Sequence, residues 1–333
     1  MIASSALHRL SDLKSLPLVL LSIVSASLAF AEWHGDEQSK MGTRIEVQLW
    51  HPDRHEGERL VAAAMAEFDR IEAWMSTYRS DSEISEVNRR AASEPVAVSQ
   101  ELFDIVARSI DVSRLTGGAF DITYDSVGYL YAFREAQAPS DEEIETRLDA
   151  VDYHHVLLDP HANTIAFAVE GVRINLGGIG KGYACDRAVE LLRNSGVQHA
   201  LVSAGGDTCL LGDRRGQPWV VGIRDPDDGA AMVTRLALVD EAISTSGDYE
   251  RYFEEAGVRY HHILDPATGR PVEGVRSVTV IGPDGTLTDA LSTSVFVLGA
   301  VAGIELIESL PDYEAIVIDS VRGVRLSAGL AEP

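Results

Sequence analysis

The sequence predicts an α+β fold, with helices dominating the first half and hairpin-linked strands the second. Three observations carry this. Apolar residues recur at helical spacing over 58–78 and 101–115. Short apolar or alternating runs bounded by turn residues crowd the chain from 156 onward. The regular βαβ alternation of a parallel α/β sheet is missing. A chain of 333 residues allows one large domain or two lobes.

Taken in order, residues 1–31 read as a secretory leader. Arg9 and Lys14 supply the basic end, 16–30 the apolar run, and Ala29-Phe30-Ala31 an A-x-A cleavage site before Glu32. The run is short for a membrane span, and no cysteine near the cut offers a lipid anchor. The expected product is therefore exported to the periplasm and folds over 32–333. An uncleaved anchor at the inner membrane is the lesser alternative.

The stretch 43–50 alternates like a strand. Leu60, Ala64, Phe68, Ile71 and Met75 mark a helix over 58–78. A polar stretch follows at 80–88. The helix over 101–115 stops at Gly117-Gly118, and 141–151 is a short acidic helix. Strands are expected at 156–158, 164–169, 173–176, 199–203, 219–223, 235–239 and 277–281. Helices are expected at 183–194, 288–298 and 304–310.

A formal net charge of −24 repels nucleic acid and anionic membrane, which excludes a polyanion partner. Cys185 and Cys209 lie in different elements and are expected as two buried thiols. No CxxC, HExxH or Cys/His cluster points to structural zinc.

Four stretches could carry chemistry. In GGIGKGYACD (177–186), Lys181 is one of only three lysines in the chain. The loop fails the P-loop pattern, because Gly182 stands where a hydroxyl would bind magnesium, and it fails the dinucleotide fingerprint. Its glycines and the following helix N-terminus still suit an anion, although a solvated lysine at a helix start is the plainer reading. In TLTDALSTSVF (286–296), Asp289 and Thr293 sit one helical turn apart. They offer hard oxygen ligands for Mg²⁺ or Ca²⁺, or else Asp289 simply complements the helix dipole. STSGDYERYF (244–253) precedes His261-His262, which in a strand face opposite sides, so at most one serves a given site. TGGAFDITYDSVG (116–128) could line a flat ring or form a turn with a core Phe.

Together, and in this order, these stretches resemble the ApbE-type flavin transferases, which move FMN from FAD onto a target protein. The blocks are MGT (41–43), MSTYRSDSEISEVN (75–88), GGAFDIT (117–123), INLGGIGKGYACD (174–186), SAGGD (203–207), STSGDYERYF (244–253), HHILDPATGRP (261–271) and SVTVIGPDGTLTDALST (277–293). The resemblance implies a two-lobed single catalytic unit, with mainly antiparallel or mixed sheets flanked by helices and the ligand in a cleft between lobes. It implies FAD contacts at Met41, Tyr78, Ala119, Phe120, Asp121, Asn175, Lys181 and Leu264. Mg²⁺ would be held by the Gly178 carbonyl, Asp289 and Thr293, with His262 as the base. Asn175 stands where many members have Asp, and Gly180 where many have Ala. The implied acceptor is a membrane redox subunit or an exported flavoprotein with a Ser/Thr motif, and the products are a phosphoester-bound FMN and AMP. A Mg²⁺-dependent FAD pyrophosphatase is the sibling alternative, and a non-enzymatic exported flavin-binding protein the third.

Overall fold

A computed structural model describes residues 32–255 and 257–331; the expected leader 1–31 lies outside them. The frame is one eight-stranded sheet. Its strands are β1 (Glu32–Lys40), β2 (Thr43–His51), β3 (Ala200–Ala204), β4 (Asp207–Leu211), β5 (Ala242–Gly247), β6 (Val275–Gly282), β7 (Glu314–Asp319) and β8 (Val324–Leu326). They neighbour one another in chain order, and every pairing is antiparallel. The expected α+β class with an antiparallel sheet flanked by helices is therefore what the chain adopts.

The helices form where caps and apolar stripes coincide. In α1 (Arg54–Met75), the Asp53 side chain accepts from Glu56 N, and Leu60, Ala64, Phe68, Ile71 and Met75 are buried along one face. Ser82 caps α2 (Glu83–Arg90), which lies inside the stretch expected to be merely polar. Only Ile84 and Val87 are buried there, too little apolar periodicity to announce a helix. Ser99 caps α3 (Gln100–Leu115), and Ser140 with Glu143 forms a capping box on α4 (Asp141–Leu148). In contrast, α5 (Gly180–Asn194) starts with no side-chain cap. Asp284 caps α6 (Gly285–Glu308), which is interrupted by non-helical backbone at Gly299 (φ 79°), so the two expected helices are present as two segments that meet at a kink.

Helices α1, α2, α3 and α5 share the largest core with the β1–β4 end of the sheet. The first half of α6 packs on β6 and β7. The hairpin of Trp219–Arg224 and Met232–Leu238 contributes Trp219, Ile223 and Leu238 to a further core with Ile243, Ile281 and Ile316 of the sheet. By length and composition α6 could cross a membrane. Here its first half is a core element carrying buried Thr288, Asp289, Ser292 and Ser294.

The segment 173–176, expected as a strand, forms no ladder. Its backbone N–H groups donate instead to single acceptors: Arg173 to the Ser126 hydroxyl, Ile174 to Asn88 Oδ1, and Asn175 to the Ile122 carbonyl. Side chains replace a neighbouring strand, which suits a segment leading into a ligand loop.

Candidate active site

The glycine–lysine loop ends where α5 crosses α6. A Cβ on Gly182 would lie 2.7 Å from Asp289 Cβ and nearer still to the Gly285 carbonyl oxygen, so only glycine permits this approach. The closeness brings a hydrogen bond. Gly182 is the third residue of α5, so its N–H is one of the donors that a helix start leaves without an intrahelical acceptor. It donates to Asp289 Oδ2 at 2.9 Å. Among the described residues, no backbone or side-chain group donates to the Gly178 carbonyl. Its lone pairs remain free at the site.

Asp289 is buried, and its other oxygen, Oδ1, faces the Lys181 ammonium at 3.4 Å. Lys181 also pairs with Asp207, which is 1% exposed. Burial opposes the lysine's charge, but the two carboxylates outweigh it and raise its pKa well above the ordinary lysine value. The ammonium is thus held mainly by Asp207, with Asp289 Oδ1 at the long end of hydrogen-bond reach.

One turn along α6, Thr293 shares a hydrogen bond of 3.3 Å with Ser246, whose hydroxyl also bonds Ser292 at 2.7 Å. Ser244 bonds Thr288 at 2.9 Å, so β5 is laced to α6 by hydroxyls. A Cβ on Gly178 would sit 3.5 Å from Thr293 Oγ1, so this loop and Thr293 adjoin. The donor set is one carboxylate oxygen, one hydroxyl and one free carbonyl. Such hard ligands fit Mg²⁺ with water or phosphate oxygens completing its shell. Among the described residues no three His, Cys, Asp or Glu side chains gather as a metal cage.

The remaining expected contacts fall into two groups. Some face outward. Tyr78, just beyond α1, is 73% exposed, and its hydroxyl accepts from Arg251 at 2.7 Å. Met41 and Gly42 form the β1–β2 turn with φ of 50° and 73°, an unusual conformation for methionine. Ala119 and Asn175 are half-buried. The others are tied into the protein. Asp121 Oδ1 accepts from Thr123 N and Oγ1, and its Oδ2 accepts from Tyr153 N. Leu264 packs with Val127, Tyr131 and Ile144, and Phe120 is buried beside Gly178. For Asp121 and Leu264, the groups left to meet a ligand are on the backbone.

Asn175 Nδ2 donates to Asp125 Oδ1 at 3.0 Å, and its Oδ1 accepts from Gly177 N at 2.9 Å. An amide can do both. Asp125 is buried, which raises its pKa, while Asn175 and Arg173 pull it back. Asp125, Arg251 and Ser246 were not singled out from sequence, and Gly205-Gly206-Asp207 read only as an ambiguous turn after a strand. Asp207 lies in the quoted SAGGD block, and a carboxylate after two glycines at a strand start was the available signal.

The histidines split as expected of neighbours. His261 is buried, and its Nε2 lies 2.8 Å from the Val272 carbonyl. The His262 ring bonds the Arg251 carbonyl through Nδ1 at 3.3 Å. Burial, with the Lys181 and Arg251 charges nearby, pushes His262 down to about 4, so it is neutral at neutral pH.

The chain is similar to known proteins over most of its length. A model described as the ApbE family covers residues 41–317. An FAD:protein FMN transferase of Vibrio cholerae is 34% identical over 277 residues, 81% of this chain and 82% of the relative. That of Treponema pallidum is 35% identical over 278 residues, 78% of this chain and 76% of the relative. The crystal structure of the ApbE protein of Thermotoga maritima superposes with a TM-score of 0.84 at 33% identity, covering 90% of this chain and 98% of that one. The flavin transferase ApbE from Vibrio cholerae gives 0.79 at 31% identity, covering 89% and 96%. A match spanning most of the chain in both sequence and structure shows that the chain belongs to the ApbE family.

Proposed function

We propose that this protein transfers FMN from FAD to a Ser or Thr hydroxyl of an acceptor protein, leaving a phosphoester and releasing AMP. The relatives named FAD:protein FMN transferase support the reaction class. The observation that carries the chemistry is the Gly178 carbonyl, which accepts no hydrogen bond among the described residues, on a loop that adjoins Thr293 and is joined to Asp289 through the Gly182 N–H. Gly178, Asp289 and Thr293 would hold Mg²⁺, which when bound neutralises charge on the diphosphate.

The residues then divide the work. Tyr78 and Arg251 offer an exposed ring and a cation to the ligand. The start of α5, uncapped and followed by Lys181, favours the diphosphate. The acceptor oxygen bonds to the phosphorus of the FMN half as the bond from that phosphorus to the bridging oxygen breaks, and AMP departs with the bridge oxygen. The proton of the acceptor hydroxyl passes to His262 Nε2, whose lone pair is left free when Nδ1–H donates to Arg251. The leader 1–31 would place this reaction in the periplasm.

The test is incubation with FAD and Mg²⁺, with and without a flavoprotein bearing a Ser/Thr acceptor motif. AMP released only with the acceptor, together with covalent FMN on it, is the expected result. AMP without acceptor identifies a pyrophosphatase using water at the same site. No AMP in either case refutes both and leaves a flavin-binding protein.

A further inference from the structure

Asp207 has no role in the reaction as described, yet its position is demanding. It begins β4 with 1% exposure, and its Oδ1 is fully buried without a hydrogen-bond donor. A buried carboxylate oxygen with nothing to accept is costly to keep. Its Oδ2 takes the Lys181 ammonium. That same ammonium stands 3.4 Å from Asp289 Oδ1, which is beyond the usual length of a charge-assisted bond, about 2.7–2.9 Å.

The ammonium therefore sits between two carboxylates. The ammonium is drawn to the Asp207 end. If Asp207 carried no charge, Lys181 would have one carboxylate left to bind, and that one is the cation ligand. An ammonium seated on Asp289 Oδ1 occupies a lone pair the divalent ion needs and cancels the charge that attracts it. Asp289 Oδ2 already accepts from Gly182 N, which leaves Oδ1 as the less committed oxygen for the cation.

We infer that Asp207 is a positioning residue that holds the Lys181 ammonium off Asp289, keeping Asp289 Oδ1 open to the divalent cation. This rests on the cation seat proposed above. It also gives the lysine of the glycine loop a function distinct from gripping phosphate: its charge is stored between two carboxylates and shifts toward whichever is free. The plainer alternative is a buried ion pair that merely fastens α5 to the sheet. On that view Asp207 would not affect the cation.

The experiment measures Mn²⁺ binding, with the metal alone, by loss of its free EPR signal. Asp207→Asn is expected to weaken binding about tenfold, as an ammonium moving into contact with Asp289 would. The double variant D207N/K181M is expected to restore binding to the native value or better, because no ammonium remains to compete. A crystal structure of D207N should show the Lys181 Nζ in direct contact with Asp289 Oδ1. Native Mn²⁺ affinity in D207N, or Lys181 unmoved in that crystal, overturns the inference. Should D207N fail to fold, the variant D207L/K181M decides: native or tighter binding supports the inference, and weaker binding overturns it. Asp289→Ala separates this from the parent reading. If D289A binds Mn²⁺ like the native protein, the cation seat itself is wrong. If D289A loses binding while D207N keeps it, only the role of Asp207 falls.

Discussion

Gly182→Ala tests the crossing of α5 and α6 on which the site depends. The added methyl would sit 2.7 Å from both Asp289 Cβ and the Gly285 carbonyl carbon, and closer to the carbonyl oxygen. Ordinary contact begins near 3.4 Å, so the two helices must part. Overpacking of this kind costs about 1–3 kcal/mol. Separation also stretches the Gly182 N–Asp289 Oδ2 bond of 2.9 Å, and a hydrogen bond to a charged group contributes about 1.5–3 kcal/mol. Alanine recovers about 1 kcal/mol of helix propensity. The net loss is about 1.5–5 kcal/mol, a melting shift on the order of 2–8 °C for a domain of this size. Gly229→Ala is the control, since a Cβ there meets nothing within 4 Å. Thermal melts are recorded with and without Mg²⁺. G182A should melt well below G229A and lose the rise in melting temperature that a bound cation gives the native protein. If G182A melts like G229A and still responds to Mg²⁺, the account of this crossing is wrong.

Other outcomes follow from the same geometry. Asp186 of α5 accepts from Gly285 N at 3.0 Å, Thr286 N at 2.7 Å and Thr286 Oγ1 at 2.6 Å, capping α6 from a different helix. Asp186→Ala should destabilise by about 2–4 kcal/mol in chemical denaturation, and D186N by less; equal stability of all three proteins refutes the cap. Cys185 and Cys209 are free and buried, as expected from sequence. Burial raises the Cys185 thiol, while the hydrogen bond with Cys185 and then burial raise Cys209. Neither should react with Ellman's reagent until the protein is denatured; rapid labelling of the native state contradicts this. His262, pushed down to about 4 from an ordinary value of about 6.5, binds its proton later than in the unfolded chain. Stability should therefore fall as pH drops from about 6.5 toward 4, and His262→Gln should flatten that slope. A ring that titrates near 6.5 by NMR rules this out.

The sequence conveyed local preference well and partnership poorly. α1 and α3 were legible because their apolar stripes face one core and their caps are local. β1 was missed because only His34 among its nine residues is buried, so it shows no alternation; its pairing with β2 makes it a strand. β7 is the reverse case. Ala315 to Ile318 are all buried, and a continuous apolar run of that length does not distinguish strand from helix. The segment 173–176 read as a strand because its apolar residues alternate, while its true acceptors lie on Asn88, Ser126 and Ile122. In the site, Lys181, Asp289 and Thr293 were singled out by residue type and spacing, and the Gly178 carbonyl by the family resemblance alone. What those residues do to one another was not. The Gly182–Asp289 bond spans 107 positions, and no periodicity reports a contact at that range.

That bond also explains why the glycine loop departs from known phosphate loops. A P-loop places its cation ligand in the residue after the lysine. Here that residue is Gly182, and a side chain in its place would hold α6 away. On the proposed reading, α6 comes close enough at Gly182 for its carboxylate and hydroxyl to stand in for the missing loop hydroxyl. Gly178 precedes the first turn of α5, and its carbonyl accepts no hydrogen bond among the described residues, so the loop would add that oxygen. The spacing that fails the motif is thus a condition of the site. Supplying the P-loop hydroxyl with Gly182→Ser should therefore lower cation affinity, because a larger side chain enters the crossing before its hydroxyl can reach the seat. Mn²⁺ titration of G182S checks this, and tighter binding than in the native protein would mean that the loop acts as a P-loop after all.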